Sequence, residues 1–186
     1  MSSIKLKHSG GNSVSLNPPT SAPTSSEVAF KLPNEDASGV LKSDGSGNLA
    51  VESNHFFEVK LSNTQAGYNG QTLTTLVEFD SENYDVGNNF NTSTHLFTVP
   101  ETGLYQFIGS TYSTENNSTQ AWLVVNGARS QYTDWVQDSA SNLMCSTHLK
   151  YLTAGDTVGY HLHTNDTSSS IYTNQWHTWF KGHKVH

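Results

Sequence analysis

Two turn strings constrain the fold of this chain more than anything else in it. Residues 96–107 read LFTVPETGLYQF, and residues 152–162 read LTAGDTVGYHL. Residues 96–99 are a short apolar run that stops at Pro100, which has no N–H to give a β-ladder. Glu101-Thr102-Gly103 turns the chain, and Leu104, Tyr105, Phe107 and Ile108 open an aromatic-rich strand. Ala154-Gly155-Asp156 is a second tight turn, between residues 149–152 and the alternating Val158-Gly159-Tyr160-His161-Leu162. Residues 122–125 run into Asn126-Gly127, the pair that supplies both positive-φ positions of a type I′ hairpin. Short strands joined by such turns predict an all-β sandwich.

With 186 residues, the chain has room for one domain and an extension. Charged residues make up only 13%, and the net charge is −7 without a Lys/Arg cluster, so nucleic-acid binding has no electrostatic basis. No stretch approaches the ~18 apolar residues of a membrane span, and membrane insertion is not expected. Cys145 is the single cysteine and has no partner for an internal disulfide. In the run Leu143-Met144-Cys145 it is expected to be a small buried hydrophobe.

Signatures of catalysis are missing: no nucleophile elbow, phosphate loop, dinucleotide fingerprint or H-E-x-x-H occurs. Glu78 and Asp80 are expected to alternate on a strand, with Glu82 and Asp85 in a turn. Nothing in that pattern drives two carboxyl pKa values apart, as paired catalytic acids need. The reading is therefore not an enzyme, with no cofactor. His161-Leu162-His163 puts two imidazoles on one strand face at a zinc-like spacing, but no third ligand is identified. His161 and His163 are accordingly weak metal candidates, and interface or surface histidines are the expected reading.

The turn strings, taken in order, resemble the centre of the C1q/TNF-like family. That family reads roughly F-T-V-P-x-x-G-x-Y-x-F, then L-x-x-G-D-x-V, then a closing aromatic-x-G. Phe56 fits its opening aromatic strand, and Leu76-Val77-Glu78-Phe79-Asp80 its I-x-F-D strand. Asn83-Tyr84-Asp85 with Phe90 fits the approach to the central turn, Trp122 to Gly127 the L-x-x-N-G hairpin, and Trp179-Phe180-Lys181-Gly182 the closing string. The resemblance implies a C1q/TNF-like jelly-roll sandwich over residues 53–186 that assembles as a homotrimer. It implies a three-fold interface or core built from Tyr105, Phe107, Trp176 and Phe180. The string Tyr105-Gln106-Phe107-Ile108-Gly109 departs from the family's usual aromatic cluster, which bears on trimer packing.

Residues 1–52 differ in character. Pro18, Pro19, Pro23 and Pro33 fall here among many Ser, Gly and Asn, and such a segment cannot bury enough apolar surface to fold alone. Ile4, Leu6, Val14 and Leu16 alternate around Gly10-Gly11-Asn12 as a small hairpin would. The strings LKHSGGNSVSLNPP, VAFKLP and GVLKSDGSGNL resemble amino-terminal arms of phage structural proteins, marine ones especially. That resemblance implies an extended particle-attachment arm over residues 1–52, anchored by Ile4, Leu6, Val14, Leu16, Phe30 and Leu32. The opening residues lack the apolar core of a signal peptide. The expectation is a virion protein, made in the host cytoplasm and released by lysis. It would be a short trimeric fibre or decoration appendage on a capsid or tail protein, with a host-surface glycan or protein as ligand of the head. The alternative is a soluble C1q-like lectin of non-viral origin. Either way, far-UV circular dichroism is expected to show a β spectrum; a helix-dominated one would contradict the reading.

Overall fold

The computed structural model describes residues 4–7, 13–16, 40–43, 49–52, 54–69, 71, 75–113, 119–132, 142–164, 167–173 and 176–185. The chain divides into two units, Met1–Ser53 and Asn54–His186. In the first, β1 (Ile4–Lys7) pairs antiparallel with β2 (Ser13–Leu16), and β3 (Val40–Ser43) with β4 (Leu49–Glu52). Ile4 stands opposite Leu16 and Leu6 opposite Val14, so the four alternating apolar positions share one face. Phe30 and Leu32 lie outside the described residues.

The second unit is a sandwich of two sheets, with no helix among the described residues. The larger sheet holds β5 (Phe56–Lys60), β6 (Gln65–Tyr68), β7 (Ser81–Val86), β10 (Gly103–Ser113), β13 (Asn142–Leu152), β15 (Ser169–Ile171) and β16 (Trp179–Lys184). The smaller has the order β12-β11-β14-β9-β8, from β8 (Phe90–Asn91), β9 (Leu96–Thr98), β11 (Thr119–Val125), β12 (Ala128–Tyr132) and β14 (Thr157–Thr164). Strand β10 is the spine of the larger sheet. It pairs along its whole length with β13 on one edge, and with β16 and then β15 on the other.

Alternation decides what goes between the sheets. On β10, Tyr105 and Phe107 point inward and are fully buried, while Leu104, Gln106 and Ile108 face out. Phe57 and Phe180 join them from β5 and β16, and Phe97, Leu123 and Tyr160 come from the smaller sheet. Phe57 stacks on Phe97 with ring centroids 4.7 Å apart, and Tyr160 reaches Phe180 at 5.3 Å. Glycines make room for these rings. A Cβ on Gly182 would come within 2.5 Å of Phe107 Cδ1 and 2.9 Å of Phe57 Cε1.

The two turn strings meet at one end of the sandwich. Val99 N–H donates to Asp156 O at 2.8 Å, and Gly155 N–H returns a bond to Val99 O at 2.8 Å. Ala154 N–H donates to Thr102 Oγ1 at 3.1 Å, and Tyr105 O–H to Glu101 O at 2.7 Å. Asn126, at φ 51° with Gly127 at 75°, makes the expected hairpin turn and donates through Nδ2 to Asp156 Oδ1 at 2.8 Å.

Three local expectations are corrected. Residues 76–80 form no ladder, because their bonds go to different sheets: Val77 N–H to Tyr160 O and Asp80 N–H to Lys60 O. Glu82 and Asp85 lie in strand β7, not a turn, because residues 81–86 pair with β5 along its edge. Cys145 is exposed, since the alternation of β13 sends its neighbours Met144 and Ser146 inward. The glycine gap supplies a test. Gly182→Ala is expected to lower stability by about 2 kcal/mol through overpacking, read as a lower urea midpoint; an unchanged midpoint would show that the rings can yield.

Candidate functional site

The same alternation that fills the core leaves the other face of the larger sheet to be explained. Outward positions of β13 carry Leu143, Leu149 and Tyr151, which are 52%, 52% and 68% exposed. Leu104 lies directly across from Tyr151, and Tyr112 across from Leu143. At the far side, Phe56 on β5 meets Tyr84 on β7 edge to face at 5.7 Å, both well exposed, with Val86 beside them. Between the two ends lies a hollow of about 420 Å³, lined by Phe56, Tyr84, Gln106, Ile108, Lys181 and His183 among others. One sheet therefore shows solvent an aromatic and aliphatic face with a depression in it, which is the signature of an interaction surface.

Polar groups on this face are paired, not scattered. Lys181 lies 4.3 Å above the Trp179 ring and 3.9 Å from Glu58 Oε2. Asn83 Nδ2 donates to Glu58 Oε1 at 2.7 Å, and Tyr84 O–H to Glu58 Oε2 at 3.3 Å. At the sheet's end, Lys184 Nζ donates to Glu101 Oε2 at 2.6 Å, which holds the Glu101 carboxyl below the ordinary carboxylate range.

Four aromatic residues carried both an interface and a core expectation, and the structure separates them. Tyr105, Phe107 and Phe180 are fully buried within one chain and have no surface to offer a partner. Trp176, at 75% exposure, keeps surface that a partner could cover. The interface reading of the first three is corrected, because their strands point them between the sheets. The exposed set Leu149, Tyr151, Phe56 and Tyr84 escaped notice in the sequence. Part of the signal was there in residues 143–151, where Leu143, Leu149 and Tyr151 share one parity of a strand and Met144 takes the other.

His161 and His163 share the outer face of β14, on the smaller sheet, as their spacing predicted. No third histidine, cysteine or carboxylate joins them in a metal-sized cluster among the described residues. Arg129 occupies the adjacent space instead, with Nη2 3.4 Å from His163 Nδ1. The guanidinium has only donors, so Nδ1 is the acceptor there.

Residues 56–185 match the family model of the C1q domain. This chain belongs to the C1q family. The globular domain of zebrafish complement 1qA protein shares the fold at a TM-score of 0.53 and 18% identity, over 71% of this chain and 98% of that one. Murine APRIL, in its pH 8.5 crystal structure, does so at 0.52 and 15%, over 71% and 99%. Among curated proteins no sequence matches significantly. At these identities the structural likeness shows the fold alone, the jelly-roll sandwich expected from the turn strings. C1q/TNF-like domains are typically recognition modules without catalysis, and no catalytic family is indicated.

Two buried histidines contribute to the acid response of the C1q sandwich. Burial pushes His148, 4% exposed on β13, down to about 4. Burial, helped by the nearby Arg129 charge, does the same to His161, 8% exposed. The unfolded chain takes up these protons near pH 6.5 and the folded chain near pH 4. Their neutral packing thus supports the fold above about pH 6.5, and that support is lost as pH falls toward 4. At pH 5 the loss is about 2 kcal/mol for each histidine. Urea unfolding at pH 7.5 and pH 5.0 should show this drop, and the double variant His148→Gln, His161→Gln should flatten it. An equally steep drop in the double variant would assign the acid sensitivity elsewhere.

Proposed function

We propose that three copies of this chain assemble through the outer face of the larger sheet into a trimeric C1q-like head. The protein is then a virion structural component, a short fibre or decoration appendage. Its arm, residues 1–52, holds it on the capsid or tail, and its head contacts the host surface. The observation that carries this reading is the exposed apolar face of β13, β5 and β7, which a monomer would leave in water at Leu149, Tyr151, Phe56 and Tyr84. C1q/TNF-like domains commonly form homotrimers, which agrees with such a face being self-complementary.

The arm supports the attachment half of the reading. A lone two-stranded hairpin is marginally stable in water, and β1–β2 pairs Ile4 with Leu16 and Leu6 with Val14. Extended segments of this kind gain stability by adding main-chain pairs and alternate side chains to a partner. Function follows by avidity and not by catalysis. Three identical heads on one particle multiply a weak contact, and several appendages multiply it again.

Light scattering is expected to give a trimer at micromolar concentration. Leu149→Ser with Tyr151→Ser should dissociate it while leaving the β spectrum intact, since each anchor contributes about 2 kcal/mol, roughly 30-fold in affinity. A monomeric wild type would remove the outer face from assembly. Deleting residues 1–35 should leave a soluble trimer that no longer joins particles. Normal incorporation of that truncated chain would move the attachment role to the head.

A further inference from the structure

The outer face of the smaller sheet carries a second kind of surface. Arg129, on β12, sits over the Trp122 ring of β11, with the guanidinium carbon 4.4 Å from the ring centroid. One edge of the guanidinium is held by His163 Nδ1 at 3.4 Å. Trp122 stands directly opposite His161 on β14, and Gln120 opposite His163, so all five residues project from one sheet face. The ring contact and one hydrogen bond hold the group, but neither neutralises its charge. Among the described residues no carboxylate comes within ion-pair distance of it, whereas Lys181 and Lys184 each have a glutamate. The Arg129 charge is felt locally, since it adds to the downward shift of His161.

We propose that Arg129, oriented by Trp122 and His163, is a binding site for the carboxylate of an acidic sugar of the uronic type. An oriented guanidinium with free N–H donors is the side chain best matched to a carboxylate, which it grips through two parallel bonds. The rest of the head decides what kind of carboxylate. Residues 54–186 hold five Lys and Arg against eleven Asp and Glu, a formal charge of −6. A protein surface with many carboxylates is repelled by that field, and a short acidic sugar adds neutral hydroxyls that an acidic peptide lacks. The part-exposed Trp122 indole beside the guanidinium offers the apolar contact that sugar C–H faces use. The site lies within one chain and on the sheet opposite to the proposed trimer face. It deepens the host-surface reading of the head, yet it does not require the trimer or the particle to be correct.

The test is calorimetric titration of the full chain with trigalacturonate, maltotriose and triglutamate. Trigalacturonate should bind, and maltotriose and triglutamate should bind at least about tenfold more weakly. Arg129→Gln should weaken trigalacturonate about tenfold or more, and Arg129→Lys nearly as much because it loses the fork. Lys60→Gln, on the larger sheet, should leave the affinity unchanged. Should the Arg129 variants misfold, the ring resonances of His163 in the wild type give the answer, because trigalacturonate must shift them and maltotriose must not. Equal affinity for trigalacturonate in wild type and Arg129→Gln, tighter binding of triglutamate, or an unmoved His163 would overturn the proposal. A failed trimer with intact trigalacturonate binding would instead sink only the assembly reading.

Discussion

The stack of Phe57 on Phe97 across the two sheets is the contact on which the head depends. Around it Phe107, Phe180, Phe79 and Tyr160 pack at ring distances of 5.2 to 6.4 Å, edge to face and offset, as their quadrupoles favour. Six large rings cannot fill a layer about 10 Å thick unless the backbone gives way somewhere. It gives way at Gly182, which lies against Phe107 and Phe57, and at Gly109, which lies against Tyr160. The glycines are therefore part of the core even though they add no apolar surface to it.

This arrangement has consequences on both outer surfaces. Once Tyr105 and Phe107 are committed inward, alternation commits Leu104, Gln106 and Ile108 outward, and pairing with β13 places Tyr151, Leu149 and Thr147 beside them. An apolar outer face on the larger sheet is thus coupled to the core by the two-residue period. The smaller sheet obeys the same period with different residues. Val158, Tyr160 and Leu162 go in, and His161 and His163 go out to meet Trp122 and Arg129. One sandwich therefore carries an apolar outer face on one sheet and a polar outer face with an arginine on the other.

Much of this was legible in the residues. Pro100, Gly103, Asn126-Gly127 and Gly155 mark turns by local chemistry that needs no tertiary context, and Asn126, Gly127 and Gly155 all adopt positive φ. Other assignments failed where local chemistry is silent. Cys145 sits in an apolar run, yet its exposure depends only on which parity β13 turns inward, a choice made by Met144, Ser146 and His148 against the core. Residues 76–80 read as a strand because they alternate, but Val77 and Asp80 bond to opposite sheets and so bridge them. Arg129 and Trp122 lie seven residues apart across a hairpin, with a bulge in the pairing between Leu123 and Val124. Nothing in their spacing announces that one will lie on the other.

By itself, the sequence determined that this chain makes short strands with specified turns, that an arm poor in apolar residues precedes them, and that the whole carries few charges. Those properties follow from backbone sterics, alternation and composition, which act over a few residues. The tertiary structure alone decided which aromatic residues are core and which are surface. It also decided that the two turn strings lock together through Val99, Gly155 and Asp156, and that an arginine stands over a tryptophan. Each of these depends on the register between strands far apart in the chain. Register is selected by the packing of all the rings at once, because a slip of one residue turns every side chain to the other face.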